Sequence, residues 1–310
     1  MFRGAILIRN FLNLSDIGQK ELKKILKRAS YLKKFRKNNK NITTLKGTNL
    51  AMIFEKPSTR TRVSFEIAIK ELGGNSIILD EASTHLSRGE SIADTAKVLS
   101  KYCNILMIRT NDHFKLVDYN KYSNLPVING LSNISHPCQI LADIMAYNEK
   151  RGSTKNKKFT WLGDINNVLY SWVEASEIFK FKLNICCPKE IKISKDLRNK
   201  LDKLKNKISI SHNAITASRG SDCIITDTWF SMGKKSSNKL LKVFKPFQVN
   251  SKIMKVTNKN VAFMHCLPAT RGNEVSAEVI DNREISLVWD EAENRLHIQK
   301  AILEWCLKKI

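Results

Sequence analysis

The sequence predicts an α/β protein of two domains, each a parallel β-sheet flanked by helices, with a helix at the C-terminus. Three observations predict it. Short apolar runs recur between polar turns, the pattern of strands buried on both faces. Stretches of helical spacing separate the runs, and strands alternating with helices assemble as a parallel sheet. The length of 310 residues suits two domains of about 150 residues each.

In chain order, residues 15–35 predict an amphipathic helix, with Ser15 as N-cap and Leu22, Ile25, Leu26, Ala29 and Leu32 on one face. A basic loop follows over 36–48. The apolar runs are then Leu50–Phe54, Ser76–Leu79, Asn104–Ile108, Pro126–Ile128, Phe159–Leu162, Leu183–Cys186, Cys223–Thr226, Val261–Met264 and Ser286–Trp289. The lysine-rich stretch 151–158 is the candidate boundary, dividing the chain into 1–150 and 151–310. After Glu291 the spacing of Leu296, Ala301, Ile302 and Trp305 predicts the C-terminal helix, which this division assigns to the second domain.

Composition excludes several classes. No apolar run approaches the roughly 18 residues of a membrane span, and Gly4-Ala5-Ile6-Leu7-Ile8 is too short for a signal-peptide core. The seven cysteines include no C-x-x-C pair, and no H-E-x-x-H helix occurs, so neither a metal nor a redox dithiol is expected. Reduced thiols in the cytoplasm are the simplest reading. The net charge of +24 resides mostly in lysines scattered among Asn and Ile, with no interleaved aromatics to stack on bases. Nucleic-acid binding is therefore not expected, and attraction of anionic substrates is the simpler use of the field. Dinucleotide and Walker A signatures are missing.

In open parallel sheets, ligands bind beyond the carboxyl ends of the strands. After the first run come Ser58-Thr59-Arg60-Thr61-Arg62, where a helical pattern starts at Val63. Hydroxyls, the free N–H groups of a helix start and a guanidinium fork together suit a phosphate, although an ordinary capped helix would carry the same letters. The third run leads into Arg109. Pro137 fits a first helical position, leaving His136 at the cap. Asp227 follows the run at 223–226, as a partner for an ammonium or a turn cap. Cys266 follows His265, where by itself it reads as a small buried hydrophobe.

Together these motifs carry a resemblance. Ser58-Thr59-Arg60-Thr61-Arg62 and His136-Pro137-x-Gln139 resemble the carbamoyl-phosphate motifs of the aspartate and ornithine carbamoyltransferases. Asp227-x-x-x-Ser231-Met232-Gly233, His265-Cys266-Leu267-Pro268, Asn166-Asn167 and Glu291-Ala292-Glu293-Asn294-Arg295 resemble the ornithine branch, in order from about residue 9 to the end. The resemblance implies transfer of the carbamoyl group of carbamoyl phosphate to the side-chain amine of L-ornithine, giving L-citrulline and phosphate. Domain 1–150 would bind carbamoyl phosphate and domain 151–310 ornithine.

Ser58, Thr59, Arg60 and Thr61 would hold the phosphate, and Arg109, His136 and Thr61 would polarise the carbamoyl oxygen. Gln139 and the backbone around Cys266-Leu267 would orient the carbamoyl amide, with Arg295 also reaching that substrate. Asn167, Asp227, Ser231 and Met232 would bind ornithine, with Cys266 beside the reacting amine. Arg109, His136 and Cys266 are thus the catalytic candidates. His85 stands where the family usually has Gln, in a loop expected to reach a neighbouring subunit's site. The resemblance further implies a homotrimer with active sites at subunit interfaces, no metal or organic cofactor, and a cis peptide at Leu267-Pro268.

Overall fold

The structure is a computed structural model that describes residues 8–38, 42–80, 84, 89–230 and 237–310. The chain forms two compact units. One is the chain up to Ala142 together with Asn294–Ile310, and the other is Asp143–Glu293.

In the first unit, strands β1 (Asn49–Phe54), β2 (Asn75–Asp80), β3 (Ile105–Arg109) and β4 (Val127–Leu131) form a parallel sheet in the order β2-β1-β3-β4. Helices α1 (Gln19–Lys37), α2 (Thr59–Glu71), α3 (Ile92–Tyr102) and α4 (His113–Tyr122) belong to this unit, and α5 (Pro137–Arg151) begins in it. The central strands are apolar because both faces are covered: Leu50 to Phe54 and Ile105 to Ile108 are all buried. One core cluster joins Ala51 and Ile53 of β1, Leu106 and Ile108 of β3, Ala96 of α3 and Leu116 and Tyr119 of α4.

The second unit carries β5 (Lys158–Leu162), β6 (Lys182–Cys186), β7 (Ile208–Ser211), β8 (Cys223–Thr226) and β9 (Ala262–His265), parallel in the order β7-β6-β5-β8-β9. Helices α6 (Asn167–Phe179), α7 (Lys195–Lys203), α8 (Ala214–Ser218), α9 (Asn238–Phe244), α10 (Ser251–Met254) and α11 (Ala277–Ile280) follow, and α12 (Val288–Cys306) begins here. Phe159, Trp172 and Phe181 cluster at its core, with Phe159 stacked on Phe181 at 4.5 Å between centroids and Trp172 edge-on to Phe181.

Both sheets have a switch point, where the strand order reverses: between β1 and β3 in the first, between β5 and β8 in the second. Such a point opens a crevice at the strand ends. No helix among the described residues is long and apolar enough to cross a membrane.

Five features differ from the sequence expectation. Helix α1 starts at Gln19 with Gly18 as its cap, because Ser15 lies in a preceding turn. Ser286–Trp289 is not a strand; Ser286 makes only a bridge to Phe263, and α12 begins at Val288. Strand β7 was not anticipated, since its edge position leaves Ser209 and Ile210 exposed and removes the need for an apolar run. Strand β2 is likewise an edge strand, with residues partly or fully exposed rather than buried on both faces. Finally, Asn294–Ile310 packs with the first unit, unlike the linear division at 150. The reason is in its side chains. Arg28 of α1 grips Glu304 with two bonds of 2.6 and 2.7 Å, Lys33 donates to Asn294 Oδ1 at 2.7 Å, and Trp305 Nε1 donates to Glu21 at 2.9 Å.

Candidate functional site

The first unit gathers one cluster of candidate residues at its switch point. Residues after β1 turn directly into α2, with extended Ser58 at the N-cap and Thr59 opening the helix. Ser58 makes no side-chain capping bond, so its hydroxyl is not used to close its own helix. The backbone N–H groups of the first turn carry the positive end of the helix dipole. Ser58 is half-buried, and Thr59 and Arg60 are exposed.

Thr61 faces inward and is fully buried. Its Oγ1 accepts from the Arg109 guanidinium at 3.0 Å and from the Arg295 guanidinium at 2.8 Å. Three separate elements thus meet on one hydroxyl: the first turn of α2, the end of β3 and helix α12. Pro137 opens α5, and the His136 carbonyl accepts the first amides of that helix, from Gln139 at 3.2 Å and Ile140 at 3.3 Å. His136 is 4% exposed. Burial first, then the guanidinium charges of Arg295, Arg109 and Arg60, push its imidazole well below the usual histidine range. The ring is therefore neutral at physiological pH, with one donor and one acceptor nitrogen. Gln139, one turn along α5, is 1% exposed.

The end of β1 is fastened to the end of β3. Glu55 accepts from the Thr110 hydroxyl at 2.6 Å, the Asn111 amide at 2.9 Å and the Lys115 ammonium at 2.5 Å. These bonds hold its carboxyl below the usual range despite partial burial.

The second unit gathers its own cluster at its own switch point. After β5, Gly163 turns the chain with φ of 130°, a region closed to side-chain-bearing residues, and a Cβ here would stand 3.4 Å from Thr226 and Trp229. Asn166 caps α6, its Oδ1 accepting from the amides of Val168 and Leu169, both at 3.1 Å. Its Nδ2 donates to Asp227 Oδ2 at 2.7 Å, across the crevice from β5 to β8. The other oxygen of Asp227 accepts from the Cys266 thiol, 3.2 Å away beyond β9. Burial, and then Asp227, push the Cys266 thiol well above its usual range. Cys266 is thus an S–H donor, not a thiolate nucleophile.

Cys266 sits in a braced loop. His265 Nδ1 accepts from the Leu267 amide at 2.9 Å, which leaves the ring proton on Nε2, facing Glu274 at 3.3 Å. Leu267 has φ of 58°, and the Leu267-Pro268 peptide is cis, as the resemblance implies. Donor atoms of Asp227, His265 and Cys266 lie within 4.8 Å of one another. Both His265 nitrogens are committed to Leu267 and Glu274, however, so His265 has no lone pair for a metal.

The structure therefore brings Arg60, Thr61, Arg109, His136 and Arg295 together in one unit. It brings Asp227 and Cys266 together in the other. Asn167 is the first residue of α6, half-buried, beside the Asn166 cap. His85, Ser231 and Met232 lie outside the described residues. Asn166 was not among the candidate site residues, although it fixes Asp227. Its signal was present, because Asn immediately before a helical pattern after a strand is a strong N-cap.

These features define a class: an α/β protein with an anion-suited helix start at one sheet and an amine-suited carboxyl at the other. Comparisons with known proteins agree. Residues 9–149 match the carbamoyl-P binding domain, and residues 155–306 the Asp/Orn binding domain, of the aspartate/ornithine carbamoyltransferases. The chain is 49% identical over 300 residues to an ornithine carbamoyltransferase of Rhodopseudomonas palustris, covering 96% of each. It is 47% identical over 302 residues to that of Bradyrhizobium diazoefficiens, covering 97% of this chain and 98% of the relative. The solved structure of the ornithine carbamoyltransferase from Pyrococcus furiosus superposes with a TM-score of 0.92 at 42% identity, covering 99% of both chains. The chain belongs to the aspartate/ornithine carbamoyltransferase family.

Proposed function

We propose that this chain transfers the carbamoyl group of carbamoyl phosphate to the side-chain amine of L-ornithine, releasing L-citrulline and phosphate. The observation that carries the reading is the Thr61 hydroxyl shared by two guanidiniums beside a neutral buried imidazole. That arrangement is a set of fixed donors suited to an oxygen on which negative charge develops. Ser58, Thr59, Arg60 and Thr61 take the phosphate. Arg109, His136 and Thr61 polarise the carbamoyl oxygen, with Arg295 reaching the same substrate. Gln139 and the Cys266-Leu267 backbone orient the carbamoyl amide.

Asn167, Asp227, Ser231 and Met232 bind ornithine, with Cys266 beside its reacting amine. The neutral amine attacks the carbamoyl carbon, the carbonyl oxygen gains charge against the donors, and the C–O bond to phosphate breaks as the amine loses its proton. Much of the barrier is met by holding two small substrates in reacting geometry. Neither a metal nor an organic cofactor takes part. The first unit, with Asn294–Ile310, serves carbamoyl phosphate, and the second unit serves ornithine.

The working assembly is a homotrimer, with His85 donated to a neighbouring subunit's site. Exposed Val63 and Ile67 of α2 and Ile77 of edge strand β2 supply apolar surface for such a contact. The cysteines are all free, which fits a cytoplasmic enzyme. The test is to assay transfer to ornithine, putrescine and aspartate side by side. Citrulline formation with ornithine well ahead of the other products is expected; faster carbamoylation of either competitor overturns the reading.

A further inference from the structure

His136 ends the loop 132–136, which joins β4 to α5. The serines of that loop are buried, Ser132 fully and Ser135 at 2% exposure. The loop closes on itself. The Ser132 amide donates to the Ser135 carbonyl at 2.9 Å, and the Ile134 and Ser135 amides donate to the Ser132 hydroxyl at 3.3 and 3.2 Å. Such local bonds give a loop its shape. They do not fix where it lies on the sheet.

A segment near the start of the chain does that. Phe11 pairs with the outer edge of β4: its amide donates to the Val127 carbonyl at 2.8 Å, and its carbonyl accepts the Asn129 amide at 2.9 Å. The buried Asn129 side chain continues the seam. Its Nδ2 donates to the Leu12 carbonyl and to the Ser135 hydroxyl, both at 2.9 Å. The Ser135 hydroxyl donates its one proton onward to Asn13 Oδ1 at 2.7 Å. Asn13 is fastened in turn, because its amide and its Nδ2 both donate to Asp16 Oδ2 at 3.1 Å. Helix α4 adds a second anchor, where His113 Nδ1 faces the Ser132 hydroxyl at 2.8 Å and Nε2 faces Asn13 Nδ2 at 3.5 Å.

The tied hydroxyl is thus one residue away from His136. A buried polar group that loses its partner is costly, so the two asparagines restrict Ser135 to one place. A donor that acts on a developing charge works only when it is held at the right point in advance.

We propose that Asn13, Asn129 and Ser135 are positioning residues for the transfer reaction: the strap at 11–16 holds the Ser135 hydroxyl, and through it sets the place of the His136 imidazole. None of the three touches the reacting atoms. The kinetic consequence rests on the transfer activity proposed above, whereas the placement of the ring does not.

The experiment has two arms on the full-length protein. The first reads the ring itself, in proton–carbon correlation spectra of protein with labelled histidine rings, where the His136 signal is the one missing from His136→Gln. In Ser135→Ala and in Asn13→Ala that signal should move, while the signals of His212 and His265 in the second unit stay in place. An unmoved His136 signal in either variant overturns the proposal. In the kinetic arm, each variant lowers kcat about tenfold, while inhibition by inorganic phosphate, which reads the 58–61 turn, stays within about twofold of wild type. The double variant loses no more than the larger single loss, because both changes break one path. Wild-type kcat in Ser135→Ala, multiplied losses in the double variant, or a parallel loss of phosphate inhibition overturns the positioning role. If the double variant does not fold, the single variants and the His136 signal decide. If wild type makes no citrulline, the reading of the reaction fails while the ring signal still decides whether the strap places His136.

Discussion

Replacing Thr61 with Val tests the centre of the first unit's cluster. The two side chains have nearly the same shape, so the substitution removes a hydroxyl without opening a large cavity. That hydroxyl is fully buried and accepts from Arg109 at 3.0 Å and Arg295 at 2.8 Å. A hydrogen bond to a charged group contributes about 1.5–3 kcal/mol, so losing both costs roughly 3–6 kcal/mol before any relaxation. Water and other neighbours recover part of this, and the two guanidiniums no longer have one atom fixing their aim. Taking about 3 kcal/mol as the surviving loss, and about 1.4 kcal/mol per factor of ten, kcat/KM for carbamoyl phosphate should fall roughly 100-fold. The assay is initial-rate citrulline formation at saturating ornithine, with carbamoyl phosphate varied. Thr61→Ser retains the hydroxyl and should stay within a fewfold of wild type. Wild-type kcat/KM in folded Thr61→Val would refute the claim that this hydroxyl organises the two arginines for catalysis.

Other consequences can be measured in the same preparations. Arg60→Lys keeps a charge but loses the planar fork, so activity should drop at least about tenfold; full activity removes Arg60 from the phosphate site. Only the neutral amine of ornithine attacks, and a lysine-like amine has a pKa near 10.4, so activity should climb from neutral to alkaline pH, and a flat profile contradicts rate-limiting attack. The buried His136 imidazole titrates below its unfolded value of about 6.5, so the unfolded chain takes up a proton first. Stability is then full above that value and lost as pH falls from there toward the lower folded value; chemical denaturation in wild type and His136→Gln should show this acid sensitivity only in wild type. The Cys266 thiol, raised by burial and Asp227, should be alkylated slowly by iodoacetamide near neutral pH and faster in Asp227→Asn, as followed by mass spectrometry.

Much of the site was legible before any coordinates. Pro137 fixed the start of α5 because its missing N–H is harmless there, and His136 followed at the cap. The letters at 58–62 suit an ordinary capped helix as well as a phosphate site, and only the structure showed that the Ser58 side chain makes no capping bond to α2. The apolar runs of β1, β3, β5 and β8 marked central strands, since only full burial demands an unbroken run. Edge strands β2 and β7 escaped or misled the same reasoning, because one open side relaxes the pattern. Ser286–Trp289 failed for the opposite reason: a short apolar run opening a helix looks like a strand until its partners are known.

The sequence by itself determined the α/β class, the local turns into helices and the chemical types available at each strand end. These depend on neighbours a few residues apart, through periodicity and capping. Tertiary structure decided the strand orders that open the two crevices, the return of Asn294–Ile310 to the first unit, and the meeting of Arg109 and Arg295 on Thr61. It also decided that His136 is neutral, that Cys266 keeps its proton, and that Asn166 rather than Asn167 alone steadies Asp227. Burial and Coulomb interaction act through space between groups such as Thr61 and Arg295, 234 residues apart, a separation that no local pattern in the chain encodes.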